Sequence, residues 1–254
     1  MSNSKSPVKA LHPWHWRHHK WAFATIVLGL LLVPFSGSVF HHIYRVIRSL
    51  PIETLMAALV QLSTWPYLVA AGLAVFLLDP AQRRALPYYV CALLLTSAAT
   101  NTIKVVAGRS RPEWSVAMSE GKRLKLEQYQ AANPAVPVNL AKQDYWMGFR
   151  ANRPYFKDRY SSFPSGHSAS AFAMAAFLVV LYPRGRFLWI GLAAGCALAR
   201  VYGARHYLDD VMIGGALGWL IAFAVFSWQW PGVLARRRFC MVDSEPRSVR
   251  HTPT

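Results

Sequence analysis

Four groups of residues have the types and spacing to do chemistry on an anion. His206 and Asp210 stand four apart, a spacing that on a helix puts both on one face. The carboxylate is then expected to accept a hydrogen bond from one imidazole nitrogen, fixing the tautomer and leaving the other nitrogen as a nucleophile. Pro164-Ser165-Gly166-His167 reads as the opening of a helix, where free backbone N–H groups and the positive dipole end favour phosphate. Gly166 permits close backbone approach, Ser165 has a hydroxyl to donate, and His167 is near enough in sequence to protonate a leaving alkoxide. Lys104 adds a mobile ammonium and Arg111 a planar fork suited to two phosphate oxygens, with Pro112 ending the helical path behind them. Arg200 places a guanidinium where an apolar run is too short to cross a membrane unless it continues past that residue, and a charge at membrane depth needs a partner. Taken singly, Lys104 and Arg111 read as interfacial anchors, the tetrapeptide as a helix cap and Arg200 as a snorkelling arginine, and a lone His-Asp pair is a weak signal. Their coincidence is what points to a site.

The elements that must position them are membrane spans. Hydrophobic residues make up 54% of the 254 residues and charged ones 15%. Trp21 to Phe40 is uncharged over twenty residues, long enough at about 1.5 Å per residue to cross a hydrocarbon core of roughly 30 Å. Further apolar runs cover Thr54 to Leu78, Ala85 to Ile103, Pro164 to Tyr182, Phe187 through Arg200, and Val211 to Trp230. The fold expected is therefore all-α: a polytopic bundle of six transmembrane helices over 21–232, with a long, partly helical interfacial insertion at about 109–162 between spans three and four. A basic tail, 1–20, precedes the bundle, and a polar tail, 233–254, follows it and is expected to be disordered. Alternating spans bring the Lys104–Arg111, Pro164–His167 and Arg200–Asp210 groups to one face of the bilayer.

The net charge of +17 fits anionic headgroups or a phosphorylated substrate, and the apolar bulk argues against nucleic acid. Lys and Arg near the termini and the short loops favour a cytoplasmic location for both ends, with the site facing outward. The insertion opposes a raw count, since Lys104 to Arg159 holds eleven Lys or Arg against five acids. Its aromatics, Trp114, Tyr129, Tyr145, Trp146, Tyr155, Phe156 and Tyr160, alternate with cations and suit the membrane interface, as a lid over the pocket or as a loop on anionic lipid. Cys91, Cys196 and Cys240 do not form a paired framework.

Lys104, six residues, Arg111-Pro112; Pro164-Ser165-Gly166-His167; and Arg200, five residues, His206, three residues, Asp210 together resemble the three-part signature of the type 2 phosphatidic acid phosphatase superfamily, PAP2, in its membrane lipid phosphatase branch. The resemblance implies that His206 attacks phosphorus, that Asp210 orients it, and that His167 protonates the leaving oxygen and then activates water against a phosphohistidine. It further implies that Lys104, Arg111, Ser165, Gly166 and Arg200 hold the phosphate oxygens and that no metal or cofactor takes part. Two positions depart from the commonest pattern: Ala199 stands where a serine often precedes the arginine, and Arg205 sits directly beside His206. Arg205 is open to two readings, a contact to a diphosphate or second acidic headgroup, or an orientation towards solvent or lipid phosphates. Asp209 breaks the three-residue spacing and is read as a neighbour of Asp210.

The expectation is hydrolysis of a lipid phosphomonoester or diphosphate, such as phosphatidate, phosphatidylglycerophosphate, an isoprenyl diphosphate or a lipid A phosphate, in a bacterial inner membrane. Partners are the lipid substrate and membrane lipids. A phosphotransferase sharing the phosphohistidine, and a transporter or lipid-binding protein without chemistry, are the competing classes. A vanadium haloperoxidase, from the same superfamily, fits six apolar spans poorly.

Overall fold

The computed structural model describes residues 20–114 and 160–228, together with Gln128, Ala131, Trp146 and Gly148. Both tails and most of the insertion, including the proposed lid residues Tyr129, Tyr145, Tyr155 and Phe156, lie outside the described residues. The described chain is helical: α1 (Lys20–Leu32), α2 (Ser36–Arg48), α3 (Glu53–Gln61), α4 (Trp65–Leu78), α5 (Leu86–Ala107), α6 (Gly166–Leu181), α7 (Arg186–Tyr202) and α8 (Leu208–Trp228). An isolated antiparallel bridge between Arg109 and Trp146 pins the insertion to the end of α5.

Three stretches, Lys20–Arg48, Pro80–Ala107 and Leu208–Ser227, are long and apolar enough to cross a membrane. The pair α3 and α4 makes a fourth if counted as one span, but it is bent by 62° where a continuous span from Thr54 to Leu78 was expected. The break falls at Leu62 to Thr64, where Ser63 and Thr64 turn their hydroxyls onto the Val60 and Gln61 carbonyls. Pro66 then starts α4 afresh, its ring being compatible only with a first turn. The expected fourth and fifth spans correspond to α6 and α7, of 16 and 17 residues, short of the roughly 20 that a full crossing takes. By length and composition, three to four spans stand among the described residues of this integral membrane protein, where six were expected.

The core forms where α6 packs against α8, with α5, α7 and α1 around the pair. Small residues make this possible. A Cβ on Gly214 of α8 would come within 2.4 Å of the Ser165 carbonyl oxygen, and one on Gly218 within 2.0 Å of the Ala169 carbonyl oxygen. A glycine every four residues lets the two backbones touch, the close-approach packing that drives helix association in lipid. Ala169, Ala173 and Ala176 of α6 and Ala222 of α8 continue the seam, all buried. Below it, Tyr89, Phe177 and Phe226 stack in series. Outside, Leu28, Leu31, Val69, Leu77, Leu94 and Phe187 are exposed, as a lipid-facing surface requires.

Candidate active site

The seam between α6 and α8 brings their N-terminal ends together, and the groups expected to share one face meet there. The Ser165 backbone N–H donates to the Asp210 carbonyl at 3.0 Å, tying the loop before α6 to the first turn of α8. A Cβ on Gly166 would stand 3.4 Å from Lys104 Nζ and 3.9 Å from Thr100 Oγ1, so the end of α5 reaches the opening of α6. Left-handed Gly108, with φ of 59°, turns the chain out of α5 towards Arg109 and Arg111. Ser165 is the N-cap of α6: it is buried, and its Oγ accepts from the Ser168 hydroxyl at 3.0 Å and from the Ser168 N–H at 3.4 Å. That leaves its own proton for another acceptor.

His206 departs from the geometry expected of it. Because α8 begins only at Leu208, His206 and Asp210 do not share a helical face. The His206 Nδ1 lies 3.8 Å from Asp210 Oδ2 and donates instead to the Ser162 carbonyl at 2.6 Å. Asp210 reaches back along its helix to accept from the Tyr207 N–H at 2.9 Å, and it accepts from the Ser162 hydroxyl as well. The carboxylate thus holds the residue that holds the imidazole. A carbonyl only accepts, so the proton sits on Nδ1 and the lone pair on Nε2. Burial, then the charges of Arg200, Arg111 and Lys104, push the His206 pKa well below its ordinary value, keeping the ring neutral.

Sequence reasoning missed Ser162 and, above all, Arg109. Its side chain is fully buried, and one guanidinium nitrogen bonds to both Asp209 and Asp210. The guanidinium lies between two rings, 4.3 Å from the centroid of Tyr207 and 4.7 Å from that of Trp146. Its carbonyl accepts from the Ser162 N–H at 3.1 Å. Asp209, read from sequence as a mere neighbour, is equally buried and also accepts from Ser36 Oγ at 2.7 Å, joining α2 to the site. One signal was available: two adjacent acids in an apolar chain require a buried cation.

Arg205 is partly exposed and holds a protein partner as well. It donates to Glu113 at 2.9 Å, and the Glu113 N–H bonds the Ala204 carbonyl at 2.9 Å, so the pair latches the end of the α5 loop to the α7–α8 loop. Arg111 donates to Ser161 Oγ at 2.9 Å. The Nε of Arg200 is buried and finds no hydrogen-bond partner among the described residues, a donor left over for an anion.

A model of the PAP2 superfamily matches residues 85–233, more than half of the chain. The chain belongs to the PAP2 superfamily. This PAP2 chain is 41% identical over 59 residues to the lipid A 1-phosphatase of Rhizobium etli, covering 23% of this chain and 25% of that protein. It is 29% identical over 158 residues to lipid phosphate phosphatase 1 of Arabidopsis thaliana, covering 55% of this chain and 43% of that one. The matched segments thus span a quarter to under a half of these relatives. A crystal structure of a transmembrane PAP2 type phosphatidylglycerolphosphate phosphatase from Bacillus subtilis aligns with 83% of this chain and 96% of its own, at a TM-score of 0.48 and 18% identity.

Proposed function

We propose that this PAP2 protein is a membrane lipid phosphatase that hydrolyses a phosphomonoester or diphosphate of a lipid through a phosphohistidine on His206. The observation that carries the reading is the Nδ1–H donated to the Ser162 carbonyl, which leaves the lone pair on Nε2 of a ring that feels the charges of Arg200, Arg111 and Lys104. In the first step Nε2 forms a bond to phosphorus, the ester bond breaks, and His167 supplies a proton to the leaving oxygen. In the second, His167 takes a proton from water, the oxygen attacks phosphorus, and the N–P bond breaks to release inorganic phosphate and restore the imidazole. Lys104, Arg111, Arg200, the Ser165 hydroxyl and the Gly166 backbone N–H offset the charge that builds on the phosphoryl oxygens. Asp210 acts through Ser162 and Arg109 as a positioning residue.

The six-span topology remains part of this proposal, with α6 and α7 crossing as short helices. So do cytoplasmic termini, a site facing the periplasm and a bacterial inner membrane. The test is phosphate release by purified protein from a panel of lipid phosphates, with His206→Ala and His167→Ala beside wild type and with EDTA in a parallel arm. Release by wild type that survives EDTA, no release by His206→Ala, and a loss of about 10²- to 10⁴-fold in His167→Ala are expected. Equal release by all three proteins would overturn the mechanism. Omitting and adding an acceptor alcohol separates hydrolysis from phosphotransfer.

A further inference from the structure

Asp209 is held from outside the stretch, Lys104 to Asp210, that carries the three-part signature. Pro34 has no N–H to continue the ladder of α1, so the chain passes through a 3-10 turn, Val33–Phe35, and starts again as α2 at Ser36. The Ser36 side chain is buried at this break with three acceptors around its hydroxyl: the Leu32 and Val33 carbonyls at 3.2 and 2.9 Å, and Asp209 Oδ1 at 2.7 Å. A hydroxyl has one proton, and the carboxylate is the nearest and most negative of the three. Phe40, one turn along α2 and fully buried, meets the Tyr207 ring edge-on at 5.6 Å. On α1, a Cβ at Gly29 would lie 3.7 Å from the Asp209 carbonyl oxygen and 2.7 Å from the Ile213 side chain, so that helix also presses on the start of α8. The first two helices therefore touch the residue after His206 and the residue three after it.

We infer that Ser36 is a positioning residue for the nucleophile, acting through Asp209; the inference rests on the function proposed above. The path is a run of hydrogen bonds between buried groups. Ser36 fixes Oδ1 of Asp209, whose Oδ2 takes the same Arg109 nitrogen that bonds Asp210. One nitrogen held between two carboxylates moves when either of them moves. Asp210 fixes the Ser162 hydroxyl and the Tyr207 N–H, the Arg109 carbonyl takes the Ser162 N–H, and the Ser162 carbonyl takes the His206 proton. Without the Ser36 hydroxyl, Oδ1 has no partner among the described residues, and Asp209 can turn about its terminal torsion, whose well is broad. None of these groups is a proposed phosphate ligand, so the loss falls on the direction of Nε2 and leaves substrate affinity in place.

Ser36→Ala removes the hydroxyl, and Tyr89→Phe is its comparison. Tyr89 also donates a buried hydroxyl, to the Leu68 carbonyl at 2.9 Å, but it stands fifteen residues, or roughly 22 Å of helix, before Lys104. Both proteins are assayed well below their unfolding midpoints on whichever of phosphatidate, phosphatidylglycerophosphate and farnesyl diphosphate the wild type cleaves fastest. Both are expected to lose some thermal stability, and only Ser36→Ala is expected to lose kcat, by about tenfold with KM unmoved, short of the roughly 10²-fold that a 1 Å misplacement costs. Asp209→Asn, which keeps the size of the side chain, is expected to lower kcat as well. In that background Ser36→Ala is expected to add less than about twofold, because the serine acts through the residue already changed.

A kcat for Ser36→Ala equal to that of Tyr89→Phe would overturn the inference, as would a loss carried by KM, or effects of Ser36→Ala and Asp209→Asn that multiply independently. A Ser36→Ala protein that does not fold leaves Asp209→Asn to decide, and a kcat equal to wild type there overturns the inference by itself. Wild type that releases phosphate from none of the three lipids refutes the proposed function and this inference together. Wild type that does release it, with any of the contrary outcomes in the variants, refutes the inference alone.

Discussion

Gly214→Ala adds one methyl group, and its consequence follows from two distances. The new Cβ would lie 2.4 Å from the Ser165 carbonyl oxygen and 3.0 Å from the Ser165 nitrogen, both backbone atoms that no rotamer change can move. Ordinary contact begins near 3.4 Å, so α8 and the loop opening α6 must separate by about 1 Å. That loop ends at Ser165 and leads into Gly166 and His167 in the first turn of α6, and the first turn of α8 carries Asp210. A misplacement of about 1 Å costs on the order of 10²-fold in rate, or about 2.7 kcal/mol of activation free energy. The assay is kcat/KM for release of phosphate from a lipid phosphate in detergent, alongside the thermal unfolding midpoint. Gly191→Ala in α7 is the control, because nothing lies within 4 Å of its Cβ. There the better helix propensity of alanine acts alone, up to about 1 kcal/mol of added stability. If Gly214→Ala also gained stability and kept activity within about twofold of wild type, the direct backbone contact between α8 and Ser165 would be refuted.

Arg109→Met leaves Asp209 and Asp210 side by side without the guanidinium that both touch; a loss of about 3–5 kcal/mol in unfolding free energy is expected, and denaturant titration in detergent checks it. Arg109→Lys is expected to recover part of that stability but less of the activity, since one ammonium does not reproduce a planar cation between Tyr207 and Trp146. The His206 pKa is lowered in the folded protein, so below about pH 6.5 the unfolded chain binds a proton that the folded chain refuses. Its contribution to stability is present above that pH and declines as pH falls, and His206→Gln is expected to flatten the acid side of the unfolding-midpoint profile; an unchanged slope would count against a buried neutral imidazole. Glu113→Gln is expected to loosen Arg205 and weaken the latch between the α5 and α7–α8 loops, read as a lower midpoint with His206-dependent turnover retained.

What the sequence made legible was the set of groups that must come together. Lys104, Gly166 and His206 are separated by scores of residues, yet apolar runs of membrane-crossing length dictated that their ends meet, and the Gly166–Lys104 approach and the Ser165–Asp210 bond connect them. What was not legible depended on where a helix begins. A four-residue spacing implies a shared face only inside a helix, and α8 starts two residues after His206, so the imidazole turns to the Ser162 carbonyl. Arg109 and Ser162 escaped notice for a related reason. They stand at the two edges of the insertion, where sequence patterning stops giving periodicity, and only the fold shows that those edges meet.

This arrangement changes how Asp210 is expected to act. In a direct dyad the carboxylate would stabilise positive charge on the imidazole ring itself. Here its Oδ2 is 3.8 Å from Nδ1, one of its partners is the Arg109 cation, and the ring proton points at a carbonyl. Much of its negative charge is already offset, so its main service is geometric: it fixes the Ser162 hydroxyl and the Tyr207 N–H, and with them the direction of the ring. Ser162→Ala removes that hydroxyl but leaves the carbonyl that accepts from Nδ1. The resulting variant should keep a neutral, nucleophilic imidazole and lose orientation only, a fall in kcat with the pH profile unmoved. Replacing Asp210 with Asn leaves Arg109 facing Asp209 alone and is expected to impair both orientation and the charge balance of the site. A Ser162→Ala enzyme with a shifted acid limb would mean that the carboxylate reaches the imidazole directly during turnover, and the indirect arrangement would then describe only the resting site.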